Sequence, residues 1–193
     1  MRTKILKIAE EQMKAGGYTS LSFGAIAKEL STTRANLHYH FKNKESLAVE
    51  VTKRFIADQE SDLVKMAAQF TGNFPKYLEG MESFLWSHHD CNGRVGACVC
   101  AQIIRQPQVP DSLMSLAQRH FDFMRNMLTE QVVESQKNGT LRNDVDPLVI
   151  AMQAGCVMTG MAQMALFMSE DICSGNNPLK GTLKEWVKNY LPL

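Results

Sequence analysis

Apolar residues recur along this chain at spacings of three and four, and strict alternation is nearly absent, so the pattern predicts helices from end to end. Ile5, Ile8, Ala9 and Met13 mark the inner face of a first helix that stops at Gly16-Gly17, a pair suited to ending a helix. Ser22 is placed to cap a second helix, with Phe23, Ile26, Ala27 and Leu30 turned inward. A polar break at Ser31-Thr32-Thr33 precedes a third helix over about 33–40. Residues 42–46 form another break, and a long fourth helix follows to about Gln69. Further helices are predicted over 74–89 and, briefly, over 97–105, where Gln106-Pro107 ends the run. Asp111 is placed to cap a long helix reaching Lys137, which stops at Asn138-Gly139. Asp146-Pro147 opens the next, to about Met168, with the proline at the first position, where its missing N–H costs least. The segment 174–178 separates it from a last amphipathic helix carrying Leu183, Trp186, Val187 and Tyr190.

With 193 residues the chain can form one sizeable core, or a small module beside a larger one. Charge divides it. Residues 1–54 hold ten Lys/Arg against five Asp/Glu, and residues 55–193 hold eleven against fifteen, so a +5 front precedes a −4 remainder. That asymmetry points to a polyanionic partner for the front alone, although a solvated basic face carries the same charge. No stretch is read as a membrane span. The nearest, 148–168, is interrupted by Gln153, Thr159, Gln163 and glycines and fits a buried or dimer-facing helix better. Behind Met1 no apolar signal core develops, because Lys7, Glu10 and Glu11 interrupt it, and a cytoplasmic protein is expected. The five cysteines, Cys91, Cys98, Cys100, Cys156 and Cys173, are odd in number and are expected to be reduced thiols.

The chemistry concentrates in 22–41, which reads helix, short turn, helix. In such a unit the second helix keeps an apolar face against the first and turns hydrogen-bonding side chains outward. Ala35, Leu37 and Phe41 supply the apolar contacts, surrounded by Thr33, Arg34, Asn36, His38, Tyr39 and His40. Arginine reads guanine bidentately and asparagine reads adenine, while threonine, tyrosine and histidine suit phosphates or thymine methyls. Lys42 and Lys44 follow at a helix N-terminus, where backbone N–H groups also favour phosphate. For each residue taken singly, a solvated helix surface is the plainer alternative.

At these residues the chain resembles the TetR family of bacterial repressors. The matching pieces are Gly17-Tyr18, Ser22-Phe23, Ile26-Ala27, Leu37-His38-Tyr39-His40-Phe41 and Lys42-Asn43-Lys44-Glu45-Ser46-Leu47, with 37–47 the most specific. Ser31-Thr32-Thr33 stands where the family usually has Gly-Val-Ser, and His38 where it often has tyrosine, departures that bear on docking rather than on fold. The resemblance implies an all-α protein: a three-helix DNA-binding domain over 1–46 and a helical ligand-sensing and dimerisation domain over 47–193. It implies a homodimer on a palindromic double-stranded operator, usually as a repressor, released by a small-molecule inducer, with no cofactor, metal or membrane. Carried over, Lys44 contacts phosphate, and Thr33, Tyr39 and His40 touch the backbone or base edges. Arg34 and Asn36 read bases, and Ser22, Thr32 and His38 complete the DNA-binding set.

For the body, the resemblance implies that the last two long helices pair with their symmetry mates, and residues such as Met152, Gly155, Met158, Gly160 and Met161 are compatible with close approach. Phe84, Trp86, Cys98, Phe121, Phe123, Met124 and Met127 are candidate linings of a sensor cavity, and equally plain core residues. Cys98 and Cys100 lie at a loop-to-helix junction beside Arg94, where a helix N-terminus and an arginine favour thiolate, so a redox or electrophile switch stands beside buried structural thiols. Adjacent side chains in His88-His89-Asp90-Cys91 diverge on a helix and are not read as a metal site. An enzyme is disfavoured: there is no glycine-rich phosphate loop, paired Cys-x-x-Cys or nucleophile elbow, and His120 and Asp122 point apart. A protein-binding helical module is disfavoured by the basic front and the aromatic block 37–41.

Overall fold

The computed structural model describes residues 1–87 and 98–192, and among them every regular element is helical. In chain order these are α1 (Arg2–Ser20), α2 (Phe23–Glu29), α3 (Arg34–His40), α4 (Lys44–Gln69), α5 (Phe74–Ser87), α6 (Val99–Ile104), α7 (Asp111–Lys137), α8 (Pro147–Phe167), α9 (Ser169–Cys173) and α10 (Thr182–Val187), which runs into a 3-10 turn over Lys188–Tyr190. The all-α expectation holds. Asp146 caps α8 by accepting the Leu148 N–H at 2.8 Å, with Pro147 at the first position, as its sequence predicts. One local reading changes: Asp111 is the first residue of α7 rather than its cap. α9 adds a short helix between α8 and the connecting segment 174–178.

The described residues form two compact units. The first takes in 1–60 and 98–121. Its core is built from Ile5, Ala9 and Met13 of α1, Ile26 of α2, Leu37 of α3, Leu47, Ala48 and Val51 of α4, Val99, Cys100 and Ile103 of α6, and Leu113 and Ala117 of α7. Short helices this small cannot cover one another alone, and the apolar faces of α4, α6 and α7 complete their burial. α1 changes course at Gly16 and at Gly17, whose φ of +66° is left-handed. The space for that bend is closed by Gln106. Its amide nitrogen donates to the Gly16 carbonyl at 2.6 Å and to Thr19 Oγ1 at 2.9 Å, and its oxygen accepts the Thr19 N–H at 3.2 Å.

The second unit takes in 61–87 and 122–192, around Phe74, Tyr77, Leu78, Leu128, Val132, Leu141, Ile150, Ala154 and Leu183. Two buried polar groups fix its connections. Ser135 Oγ accepts the Phe74 N–H at 2.8 Å, which starts α5. The Glu82 carboxylate accepts the N–H groups of Gly181 and Leu183 at the start of α10, and the Trp86 indole N–H at 3.3 Å. α8 is long and apolar enough by length and composition to cross a membrane, although the interruptions in its sequence argue against a span. Leu148, Val149, Met152 and Met164 on it are each 44–49% exposed.

The turn between α2 and α3 departs from glycine in a measurable way. Ser31 has φ +50°, the only left-handed non-glycine among the described residues. Its N–H bonds the Lys28 carbonyl at 3.2 Å and the Thr32 N–H bonds the Ala27 carbonyl at 2.9 Å, the pairing of a Schellman cap. A serine Cβ is disfavoured there and a glycine is not. Ser31→Gly is expected to stabilise the chain by about 1 kcal/mol. Chemical denaturation of both proteins checks this, and an unchanged or lowered midpoint would show that the turn holds serine without strain.

Candidate nucleic-acid interface and thiol cluster

α3 is held by Leu37, wholly buried, and by Phe41 just past its end. Thr33 caps it, Oγ1 accepting the Asn36 N–H at 3.2 Å, and Ser22 caps α2 by accepting the Ala25 N–H at 3.3 Å. The Ser22 N–H is itself taken by Gln12 Oε1 of α1 at 2.9 Å. Of the two residues expected to read bases, Asn36 is held by a hydrogen bond and Arg34 is exposed. Asn36 Nδ2 donates to Thr32 Oγ1 at 2.9 Å. The Arg34 guanidinium lies against α2 at Gly24, where a Cβ would come within 2.5 Å of Nη2. A glycine inside a helical run is the one sequence signal that marked such a close approach.

His38 packs on the Phe23 ring, centroids 4.9 Å apart, and its Nδ1 lies 3.2 Å from the Lys42 carbonyl oxygen, which makes that nitrogen the donor. Tyr39 is 85% exposed, so nothing within the chain requires an aromatic there; its ring meets His40 edge-on at 5.4 Å. Lys44 donates to the Thr19 carbonyl at 3.3 Å and stands 4.5 Å from the Tyr18 ring centre. Partial burial there lowers its pKa. Near Lys44 at the start of α4, Glu45 accepts the Ser112 hydroxyl at 2.6 Å. All the residues expected to meet DNA therefore lie in the first unit, on α2, α3, their turn and the start of α4.

The thiols expected at the α6 junction lie in the same unit. Cys98 is the N-cap of α6 with extended backbone, and Cys100 is buried in the first turn. Cys98, Cys100 and His120 of α7 bring their ligand atoms within 4.8 Å of one another. His120 is 1% exposed, and Nδ1 lies 3.2 Å from Glu60 Oε1 of α4. A hydrogen bond with Cys100 holds the Cys98 thiol below the ordinary range against the effect of burial, with His120 and the Ala101 backbone adding to it. The Cys100 thiol is pushed up, by its bond to Cys98 and by burial. Burial alone would lower the His120 pKa, but its bonds to Cys98 and Glu60 outweigh that and the net shift is upward. Of the expected helpers, the helix N-terminus is present, with Cys98 at the α6 cap and the Ala101 backbone favouring its thiolate, and Cys100 and His120 act on Cys98 as well. Arg94 falls outside the described residues. His88, His89, Asp90 and Cys91 also fall outside them.

The residues offered as cavity lining belong to separate cores. Cys98 and Phe121 pack in the first unit, and Trp86, Phe123, Met124 and Met127 in the second, where Phe84 is half-buried on α5. Gln106, Glu60, His120 and Glu82 each bond a partner distant along the chain, a relation that sequence does not display.

A family model described as bacterial regulatory proteins, tetR family, matches residues 5–51. The HTH-type transcriptional regulator QacR of Staphylococcus aureus is 39% identical over 51 residues, which is 26% of this chain and 27% of QacR, so the match spans about a quarter of that relative's length. A TetR-family transcriptional regulator from Agrobacterium tumefaciens superposes with a TM-score of 0.79 at 18% identity, covering 99% of this chain and 97% of that one. A regulator from Saccharomonospora viridis, solved in complex with choline, gives 0.78 at 19% identity over 100% and 98%.

Proposed function

We propose that the chain, whose residues 5–51 match the tetR family model, is a TetR-family, non-enzymatic transcriptional regulator, in repressor mode, that docks α3 in the major groove of a double-stranded operator. The observation that carries this reading is the pairing of α2 and α3 across the Ser31 turn, with Arg34, Asn36, Tyr39 and His40 set around a Leu37–Phe41 anchor in a segment of charge +5. We assign DNA reading to 1–46, and effector sensing and dimerisation to 47–193. Arg34 and Asn36 read bases; Thr33, Tyr39 and His40 meet backbone or base edges; Ser22, Thr32, His38 and Lys44 complete the contact set, Lys44 at phosphate.

A second copy of the chain is the partner assigned to the apolar residues of α8. Their exposure at Leu148, Val149, Met152 and Met164 supports that assignment over a membrane, because the partner of the first unit, DNA, is in the cytoplasm. Two-fold symmetry then sets two α3 helices about one DNA turn apart, on a palindrome. A small-molecule inducer releases the operator by binding one arrangement of the protein better than the other; Phe84, Trp86, Met124 and Met127, all of the second unit, are the candidate contacts. Modification of Cys98 is a second trigger, supported by its depressed thiol pKa beside His120.

Selection of bound fragments from the source genome tests the reading. The expected yield is palindromic sites bound by two chains. Arg34→Ala or Asn36→Ala costs about 1–3 kcal/mol at one base pair per half-site. Lys44→Ala weakens all sequences alike and flattens the salt dependence by about one unit. Enrichment of no duplex, or an Arg34→Ala protein with unchanged preference, would remove α3 from recognition.

A further inference from the structure

We infer that Cys98, Cys100 and His120 form a binding site for a soft divalent cation of the zinc type, with Glu60 as the carboxylate that orients the imidazole. Two thiols and an imidazole form a donor set that selects such an ion over magnesium or calcium. Their ligand atoms already lie within 4.8 Å of one another, and tetrahedral coordination requires separations of roughly 3.5–4 Å. Small side-chain rotations close that gap.

Backbone geometry explains the convergence. Side chains two apart within a helix diverge. Cys98 is not within the helix: as N-cap, with φ −70° and ψ 117°, it turns its side chain back towards Cys100 in the first turn. The sequence spacing alone could not show this. Glu60 and His120 supply the second element of a metal site. With Nδ1 taken by the Glu60 carboxylate at 3.2 Å, Nε2 is the ring nitrogen left for the ion, the carboxylate–histidine–metal relay that sets tautomer and ring orientation. Cys98 is only partly buried and Glu60 partly exposed, so the cluster has an edge towards solvent. Binding would form two metal–sulfur bonds and one metal–nitrogen bond, and the protons held by the two cysteines and by the ligating imidazole nitrogen would pass to the buffer. The ion would then join α4, α6 and α7 within the unit that holds α3.

The site shares Cys98 with the proposed modification trigger but none of the residues assigned to DNA reading, and its test needs no operator. The full-length protein is reduced, stripped with chelator and titrated with Co²⁺ alone as the probe. The expected result is one equivalent bound, with thiolate-to-cobalt charge transfer in the near ultraviolet, visible d–d bands of tetrahedral intensity, and displacement by Zn²⁺. Cys98→Ser should lower charge-transfer intensity by about half and weaken binding at least tenfold, and Glu60→Gln should weaken it about tenfold. Cys156→Ser, on an exposed residue of α8, should leave the spectrum unchanged. Circular dichroism of each variant separates lost binding from lost folding, and the wild-type spectrum stands without any variant. No tetrahedral cobalt spectrum in the wild type would overturn the inference. So would a spectrum that survives in a folded Cys98→Ser variant but is lost in Cys91→Ser, which would move the ion to residues 88–91.

Discussion

Replacing Glu82 by alanine is expected to lower the unfolding free energy by about 3 kcal/mol. The carboxylate is 6% exposed and accepts three donors: the Trp86 indole, the Gly181 N–H and the Leu183 N–H. Alanine leaves all three unpaired where water reaches poorly. Two of them open α10, where a negative charge also meets the favourable end of the peptide dipoles. Glu82→Gln keeps an acceptor but not the charge, and an intermediate loss of about 1 kcal/mol follows. Both tryptophans of the chain, Trp86 and Trp186, lie in this unit, so urea unfolding followed by fluorescence reads it directly. An alanine variant within about 0.5 kcal/mol of wild type would mean that water replaces the carboxylate at no cost.

The second large effect is expected at the bend of α1. Gly17→Ala should cost about 2 kcal/mol, part from a left-handed φ of +66° and part from a collision. The new Cβ would stand 2.5 Å from Gln106 Nε2, a group held by the Gly16 carbonyl and Thr19 Oγ1. Gln106 cannot withdraw without abandoning those bonds. The collision predicts non-additivity: in the Gly17→Ala, Gln106→Ala double variant the total loss should fall short of the sum by about 1 kcal/mol. Additive losses would mean that the side chain swings aside freely and that backbone conformation accounts for the whole effect of Gly17→Ala.

These two positions show where the sequence was legible and where it was not. The break in α1 at Gly16-Gly17, the caps at Ser22 and Asp146, and the apolar faces of α2 and α3 all follow from local rules, since each signal and its partner lie within one or two helical turns, although helix resumes after the glycines as far as Ser20. The Ser31 turn was legible as a departure from glycine, and the structure gives that departure a φ. Gln106 was legible only as the end of a short helix, because its partners lie some ninety residues away. His120 was weighed against Asp122, its neighbour on α7; it meets instead Glu60 and Cys98, contributed by α4 and by the start of α6. Periodicity says that α8 is apolar but not what covers it, because an interior helix and a helix meeting another chain have the same composition.

The arrangement of Arg34 and Asn36 has a consequence for the thermodynamics of the proposed operator complex. A free arginine or asparagine surrenders its rotamer freedom when it settles on a base edge, at about 0.5–1.5 kcal/mol for each side chain immobilised. Here the guanidinium already rests on the Gly24 backbone and the carboxamide is already tied to Thr32. For Asn36 part of that ordering is completed when the chain folds, so at its position the helix approaches DNA nearer to a rigid template than to a searching side chain. In such a template a wrong base pair finds little slack with which to improvise a substitute contact, and a mismatch is read mainly as lost enthalpy.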